Sequence, residues 1–227
     1  MKSNAKVLLI CRYKDKFSLK LYKDLKNNFK SVKIFYSKKY NEKITKKILN
    51  WEGDYIFSFR SLLILPDFII KNAKVAAINF HPGPPKYRGV GCLNYALYND
   101  EDYYGVTAHL MKNKIDYGKI IKSNRFKIPS GNLDKILELT HNKLYTLSKE
   151  IIYKIKNNKD FIHNSIKSNN EKWSKKIKTK SQLDKFYIIN KSISKKKLNI
   201  KLRATITKKY KPYLKIHNRK FYYLDEK

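Results

Sequence analysis

The chain has 227 residues, 42% hydrophobic and 14% aromatic, enough apolar content to bury a sizeable core and to exclude wholesale disorder. Its 52 basic and 18 acidic residues give a formal net charge of +34. No apolar run reaches the ~18–20 residues of a membrane span and no signal-peptide pattern opens the chain. Cys11 and Cys92 are too few for a disulfide framework and lack metal-ligand spacing. A cytoplasmic protein of one main domain, without a metal, is expected.

Lysine and arginine neutralise phosphates, so the charge raises nucleic acid or an anionic surface as a partner. Yet 46 of the basic residues are Lys and only 6 are Arg, whereas surfaces that read phosphates and bases favour the guanidinium fork. Asn, Ile and Tyr are abundant as well, so the lysine excess reads first as coding composition. All seven glycines lie between Gly53 and Gly131, and residues 51–131 carry 11 basic and 7 acidic residues. Residues 160–227 hold 20 basic and 5 acidic residues. The chain therefore divides into a core over residues 1–159 and a small basic C-terminal extension over 160–227. Chemistry is expected in the glycine-bearing middle, where backbones can turn tightly and approach ligands.

In chain order, Lys6–Cys11 (KVLLIC) is a short apolar run suited to a buried strand, and Phe17–Phe29 has helical apolar spacing. Val32–Tyr36 reads as a second strand, followed by a Lys-rich helix to about Leu49. Tyr55–Phe59 is a third strand, and Pro66 opens a helix that ends near Asn72. Val75–Phe80 (VAAINF) is a fourth strand running into an irregular loop, His81–Gly91. A helix over Cys92–Tyr98 follows, then strands at Val106–Met111 and Lys119–Ile128 and a long helix from Leu133 to about Lys156. This alternation predicts an α/β fold with a largely parallel sheet covered on both faces. Ligands of such sheets sit beyond the carboxyl ends of the strands, where the loop after VAAINF lies. In the extension, Leu202–Thr207 (LRATIT) reads as a strand and Tyr213–Tyr223 as a hairpin turning at His217-Asn218.

Asn79 and His81 are two residues apart at a strand end, so their side chains share a face. Pro82, Gly83, Pro84 and Pro85 then stiffen the loop. Asp116, with Gly118 after it, lies between the next two strands, where parallel-sheet geometry is expected to bring it beside the fourth. An amide, an imidazole and a carboxylate suit acyl transfer between nitrogens. Asn79 could donate to an oxyanion, His81 could exchange a proton with an amine, and Asp116 could orient His81. Equally, a loop histidine and a turn aspartate often only bond to backbone.

The stretch INFHPGPPKYRGVGCLNYAL, followed by YGVTAHLM and KIDYGKII, resembles the folate-dependent formyltransferases. Their marks appear in order: Asn79, His81 and Pro82; Tyr87, Arg88 and Gly89; Gly105, Val106, Thr107 and His109; Asp116, Gly118, Ile120 and Ile121. The resemblance implies a Rossmann-like core, 10-formyltetrahydrofolate as formyl donor, no metal and a primary amine as acceptor. It gives Asn79, His81 and Asp116 the roles just described and His109 a supporting one. It places Ile64 and Leu65 at the wall of a pterin pocket, facing Lys114 and Ile115, with Tyr87 and Arg88 near the acceptor. The loop departs from the family's His-Pro-Ser-Leu-Leu-Pro-x-Tyr-Arg-Gly: His81–Gly89 is one residue shorter and carries Gly-Pro-Pro.

Enzymes of this resemblance that act on glycinamide ribonucleotide hold phosphate at a glycine-rich loop after the first strand, and Cys11-Arg12-Tyr13-Lys14-Asp15-Lys16 has no glycine. Those that act on methionyl-tRNA add a barrel of roughly 100 residues, longer than this extension. A nucleotide-linked (dTDP-type) amino sugar is the favoured acceptor, with Trp173, Tyr187, Tyr222 or Tyr223 available to stack on its base. The basic extension keeps tRNA open as acceptor, and a non-enzymatic nucleic-acid-binding protein on this fold is the remaining alternative. The hairpin is expected to cap the core or to form a homodimer contact.

Overall fold

The apolar runs of the first 81 residues are strands, each longer than its hydrophobic centre. The computed structural model describes residues 1–40 and 42–224. In it β1 (Ser3–Arg12), β2 (Phe29–Ser37), β3 (Gly53–Phe59) and β4 (Ala73–His81) pair in parallel in the order β2-β1-β3-β4. They are linked by α1 (Lys16–Asn28), α2 (Lys46–Leu49) and α3 (Asp67–Lys71). Helix α1 begins where Asp15 accepts the Ser18 N–H, and it buries Phe17, Leu21 and Leu25, one stripe at four-residue spacing. The expected long Lys-rich helix before Leu49 is the single turn α2. Thr45 makes no side-chain cap there and only Ile48 of the helix is buried, so little opposes fraying.

After β4 come the two-residue β5 (Arg88–Gly89), helix α4 (Cys92–Tyr98), β6 (Tyr103–Leu110) and β7 (Ile120–Lys127). The sheet is parallel over its first four strands only: β6 runs antiparallel to β4, and β7 antiparallel to β6. Helix α4 has seven residues, about 10 Å of rise. That is too short to carry the chain back along β4, so the strand re-enters the sheet at the end where the chain left it.

Helix α5 (Leu133–Asn157) and α1 cover one face of the sheet, burying Leu9, Phe57, Phe80, Leu144 and Ile151. Leu8, Ile10, Ile56 and Ala77 point to the other face and meet Trp51, Leu63, Leu65 and Ile69. Burial of each such large side chain contributes about 1.5–3 kcal/mol.

The extension holds α6 (Phe161–Ser168), β8 (Ile177–Lys178), α7 (Lys180–Phe186), α8 (Lys195–Thr205), β9 (Tyr213–Ile216) and β10 (Arg219–Tyr222). LRATIT is therefore not a strand. Most of it is the last turn of α8, whose Ser194 cap accepts the Lys197 N–H. Packing of Ala204 and Thr205 overrides their β-branched and alternating signal, and Thr205 satisfies its hydroxyl on the Lys201 carbonyl within the helix. The hairpin is present, and His217 and Asn218 take φ of 44° and 64°, the left-handed pair that a tight two-residue turn needs. No helix among the described residues is long and apolar enough to cross a membrane.

Candidate active site

The ladder between β4 and β6 assembles the catalytic candidates. Asn79 stands directly across from His109, and His81 across from Thr107. Asp116 reaches them by a route other than the expected parallel one. The loop after antiparallel β6 folds back so that the Leu110 N–H meets the Lys119 carbonyl and the Met111 N–H meets the Ala77 carbonyl of β4. Asp116 itself has φ of 46°, a sparsely populated conformation that costs of order 1 kcal/mol. The carboxylate it presents is fixed from several directions. Oδ2 lies 3.3 Å from His81 Nδ1 and accepts the Gly89 N–H at 2.9 Å, while Oδ1 lies 3.5 Å from His109 Nε2.

His109 Nδ1 lies 2.7 Å from the Leu110 carbonyl, which makes it the protonated nitrogen. Its Nε2 lies 3.1 Å from Asn79 Nδ2, and Asn79 Nδ2 also lies 3.4 Å from Asp116. His109 thereby orients the Asn79 amide. His81 sits between two acceptors, Asp116 and the Tyr87 carbonyl, the latter 2.9 Å from Nε2. A proton that it takes up finds a partner on either side.

Burial pushes the Asp116 carboxyl up, but His81, His109 and the Gly89 N–H outweigh it and hold the group at about 2. Burial lowers His81 below its ordinary range against the opposing pull of Asp116 and the Tyr87 carbonyl. His81 is thus neutral near pH 7, ready to accept a proton, beside an ionised Asp116. Cys92 Sγ lies 3.7 Å from His81 Nε2, yet burial drives its thiol far above the ordinary cysteine range, so it packs rather than reacts.

Asn79, His81, His109 and Asp116 open on a cavity of about 870 Å³ that Ile64, Leu65, Lys114 and Ile115 also line. All eight residues expected at the reaction centre and the pterin wall are thus brought together. Ile64 and Leu65 follow β3 outside any regular element, and their backbone N–H and C=O groups make no hydrogen bond among the described residues. Free backbone donors and acceptors beside a cleft fit the flat polar edge of a pterin.

Tyr87 and Arg88, expected at the acceptor, do not line the cavity. Tyr87 is buried against Leu93 and Tyr104, with its hydroxyl on Glu101. Arg88 is buried and donates to the Ser174 and Ile115 carbonyls, tying the extension to the Asp116 loop. The resemblance placed them near the acceptor, and in the fold both serve as framework.

Trp173 likewise is no base-stacking surface. Its indole N–H donates to the Gly118 carbonyl at 2.7 Å, and its ring meets His109 and His81 edge-on at 4.9 and 5.7 Å. It comes from the extension, far down the chain, with no local pattern to announce it. Just beyond it the Ser174 N–H bonds to the Pro85 carbonyl, and β8 pairs with β5. This strap braces both catalytic loops. Trp173→Ala is expected to lower kcat on the order of tenfold, with a smaller loss in Trp173→Phe, which keeps the ring contact. An unchanged kcat in a folded Trp173→Ala protein would refute the bracing role.

Among the residues not foreseen, Arg12, Arg60 and His141 line the same cavity. Burial first, then the charges of Arg60, Arg12 and Lys16, lower His141 to about 2. An unfolded histidine protonates near about 6.5, so between these values the unfolded chain binds more protons and stability falls as pH drops below about 6.5. Urea denaturation at pH 7.5 and pH 5.5 should show the loss, and His141→Gln should shrink it. Equal shifts in both proteins would assign the acid sensitivity elsewhere.

The sequence profile of the Formyl transferase family matches residues 2–155. The bifunctional polymyxin resistance protein ArnA of Wigglesworthia glossinidia brevipalpis is 36% identical over 130 residues, covering 56% of this chain and 20% of that protein. The chain therefore spans about a fifth of that relative's length. A 4-N formyltransferase from Francisella tularensis superimposes with a TM-score of 0.72 at 20% identity, over 97% of each chain. The N-formyltransferase from Helicobacter canadensis, solved with folinic acid and dTDP-3-aminofucose, gives 0.70 at 21% identity, over 95% of this chain and 85% of that one. These two likenesses are of fold. The profile covers more than half the sequence, Asn79 to Asp116 included, and the chain belongs to the formyl transferase family.

Proposed function

We propose that this protein transfers the formyl group of 10-formyltetrahydrofolate to a primary amine of a nucleotide-linked amino sugar. The observation that carries this is one cavity with three kinds of wall. Asn79, His81 and Asp116 line it together with Ile64 and Leu65, whose backbone is free, and with Lys178, Lys209, Tyr187 and Tyr222 of the extension. The Helicobacter canadensis protein, of the same fold, binds a folate and a dTDP-linked amino sugar, and this reading brings both ligand classes to this chain. The donor supplies an activated formyl carbon.

The unprotonated amine attacks that carbon, and the carbonyl oxygen becomes an oxyanion that the Asn79 amide receives. Preorganised donors of this kind are worth about 2.7–4 kcal/mol in the transition state. His81 takes the proton that the amine loses and passes it to the departing folate nitrogen as the C–N10 bond breaks. Asp116 stabilises the imidazolium in between. The exposed Phe221 of the hairpin, with Leu224 just beyond it, is where we place a homodimer contact.

Incubation with 10-formyltetrahydrofolate, a dTDP-linked amino sugar and charged initiator tRNA, read by mass spectrometry, tests the reading. Formylated sugar nucleotide is the expected product. Formylated tRNA with the sugar untouched would make the basic extension a recognition surface and replace the acceptor. Salt-sensitive nucleic-acid binding with no folate turnover would remove the enzymatic reading.

A further inference from the structure

A neutral imidazole carries its proton on one nitrogen, and the hydrogen bonds around the ring select which. The two nitrogens of His81 meet different partners. Nε2 lies 2.9 Å from the Tyr87 carbonyl in hydrogen-bond geometry. Nδ1 lies 3.3 Å from Asp116 Oδ2 as a charge contact without hydrogen-bond alignment. That oxygen already accepts the Gly89 N–H at 2.9 Å. A carbonyl has no proton to give, so only a protonated Nε2 satisfies its approach to Tyr87.

The loop that brings the carbonyl there is fixed at several points. The Tyr87 N–H bonds to the Pro84 carbonyl at 2.9 Å, closing a turn. The Pro82 carbonyl accepts the Tyr104 hydroxyl, and the Gly83 carbonyl the Thr107 hydroxyl, each at 2.8 Å. Gly83 is where the loop comes closest to the ring. A Cβ at this position would stand 2.6 Å from His81 Nε2 and 3.1 Å from the Tyr87 oxygen, intruding on both ends of the hydrogen bond. His109 has the same kind of arrangement. The Leu110 carbonyl holds its Nδ1 proton, and its Nε2 is turned to Asp116 Oδ1 at 3.5 Å.

We propose that the Tyr87 main-chain carbonyl, admitted against the ring by Gly83, fixes His81 as its Nε2–H tautomer and leaves Nδ1, beside Asp116, to take the amine proton. This rests on the amine-acceptor reading above. An N–H bond of the attacking amine breaks as the Nδ1–H bond forms, and the adjacent Asp116 carboxylate stabilises the charge. The same proton leaves Nδ1 for the folate nitrogen as the C–N10 bond breaks, which returns the ring to its starting tautomer. In a Ser-His-Asp triad the carboxylate holds the Nδ1 proton and Nε2 works. Here the carbonyl does the holding and the nitrogens exchange roles. Tyr87 is thus a positioning residue that acts through its backbone.

Long-range 1H–15N NMR of protein labelled with 15N-histidine reads the tautomer, at pH 7.5, where burial keeps His81 neutral. His81→Gln identifies its signals among the five histidines. Wild-type protein should show a protonated Nε2 and a bare Nδ1. Gly83→Ala should move the proton to Nδ1 and lower kcat about 10²-fold, the lower reach of a positioned base, with folate affinity unchanged. Lys86→Ala, in the same loop but with its exposed ammonium on Glu101, should keep the wild-type tautomer and kcat. An Nδ1–H signal in the wild type would overturn the proposal, as would Nε2–H retained in Gly83→Ala, whatever its kcat. The wild-type spectrum needs no variant, so misfolding of Gly83→Ala leaves the test intact. Activity separates the two readings. Nδ1–H in an enzyme that formylates an amine sinks the tautomer and spares the reaction. Nε2–H in a protein that formylates no amine sinks the reaction and leaves the tautomer standing.

Discussion

Turnover in His81→Ala is expected to fall by roughly 10²- to 10⁴-fold, the usual reach of a positioned general acid–base group, while folate binding persists. His81 makes the shorter imidazole contact with Asp116, 3.3 Å, and lines the cavity. The Ile64 and Leu65 backbone expected to hold the pterin belongs to another loop, so the deletion leaves it intact. Truncating a buried side chain also opens a void, and His81→Gln, closer in volume, separates the two effects: it should restore stability but not turnover. Once protonation of the acceptor amine is allowed for, the wild-type rate should show no further fall through the ordinary histidine range near about 6.5, because burial holds the protonation of His81 lower. Steady-state kinetics with folinic acid titration of each variant provide the check. Wild-type turnover in a folded His81→Ala protein would remove His81 from the mechanism.

Much of this centre could be read in the sequence, for identifiable physical reasons. β1 to β4 are short apolar runs bounded by turn residues, and the two-residue period of a strand by itself puts Asn79 and His81 on one face. The placement of Asp116 could not be derived that way. It depends on β6 running antiparallel to β4, which follows from the shortness of α4, and strand direction leaves no mark in residue alternation. The family's motif order supplied the pairing that the geometric argument had routed wrongly. Tyr87 and Arg88 show the reverse failure. The resemblance placed them near the acceptor, but polar side chains adjacent to a site are as readily used to bind loops together, and Arg88 does so through two backbone carbonyls. Trp173 was offered only as a base-stacking surface and Arg12 was passed over, because nothing local distinguishes an aromatic or a cation that faces the centre from the many that do not in a chain with 18 Tyr and 52 basic residues.

The residue between the two kinds of information is Gly118, present in the motif and explained only in three dimensions. A Cβ at Gly118 would land inside the Leu110 carbonyl, with the Leu110 Cα also within contact range. Both obstacles are backbone, so no rotamer change relieves the clash, and the loop that carries Asp116 must move. That loop also has its Gly118 carbonyl fixed by Trp173 and its Leu110 and Met111 N–H groups fixed by Lys119 and Ala77. Gly118→Ala is therefore expected to be costlier than an ordinary surface change, about 1–3 kcal/mol of stability as in overpacked cores. It should also cost at least 10²-fold in turnover, since a displacement of about 1 Å in a catalytic group has effects of that size. The readout that distinguishes this from general damage is Asp116 itself. In the native loop its carboxyl sits at about 2 because His81, His109 and the Gly89 N–H surround it. Once displaced, it should titrate closer to the ordinary aspartate value of about 3.9, and carbonyl-detected NMR between pH 2 and pH 5 would record the rise. A Gly118→Ala protein with wild-type kcat and an unmoved Asp116 would mean that the loop tolerates the methyl group, and that the tight Leu110–Gly118 approach does not position the carboxylate.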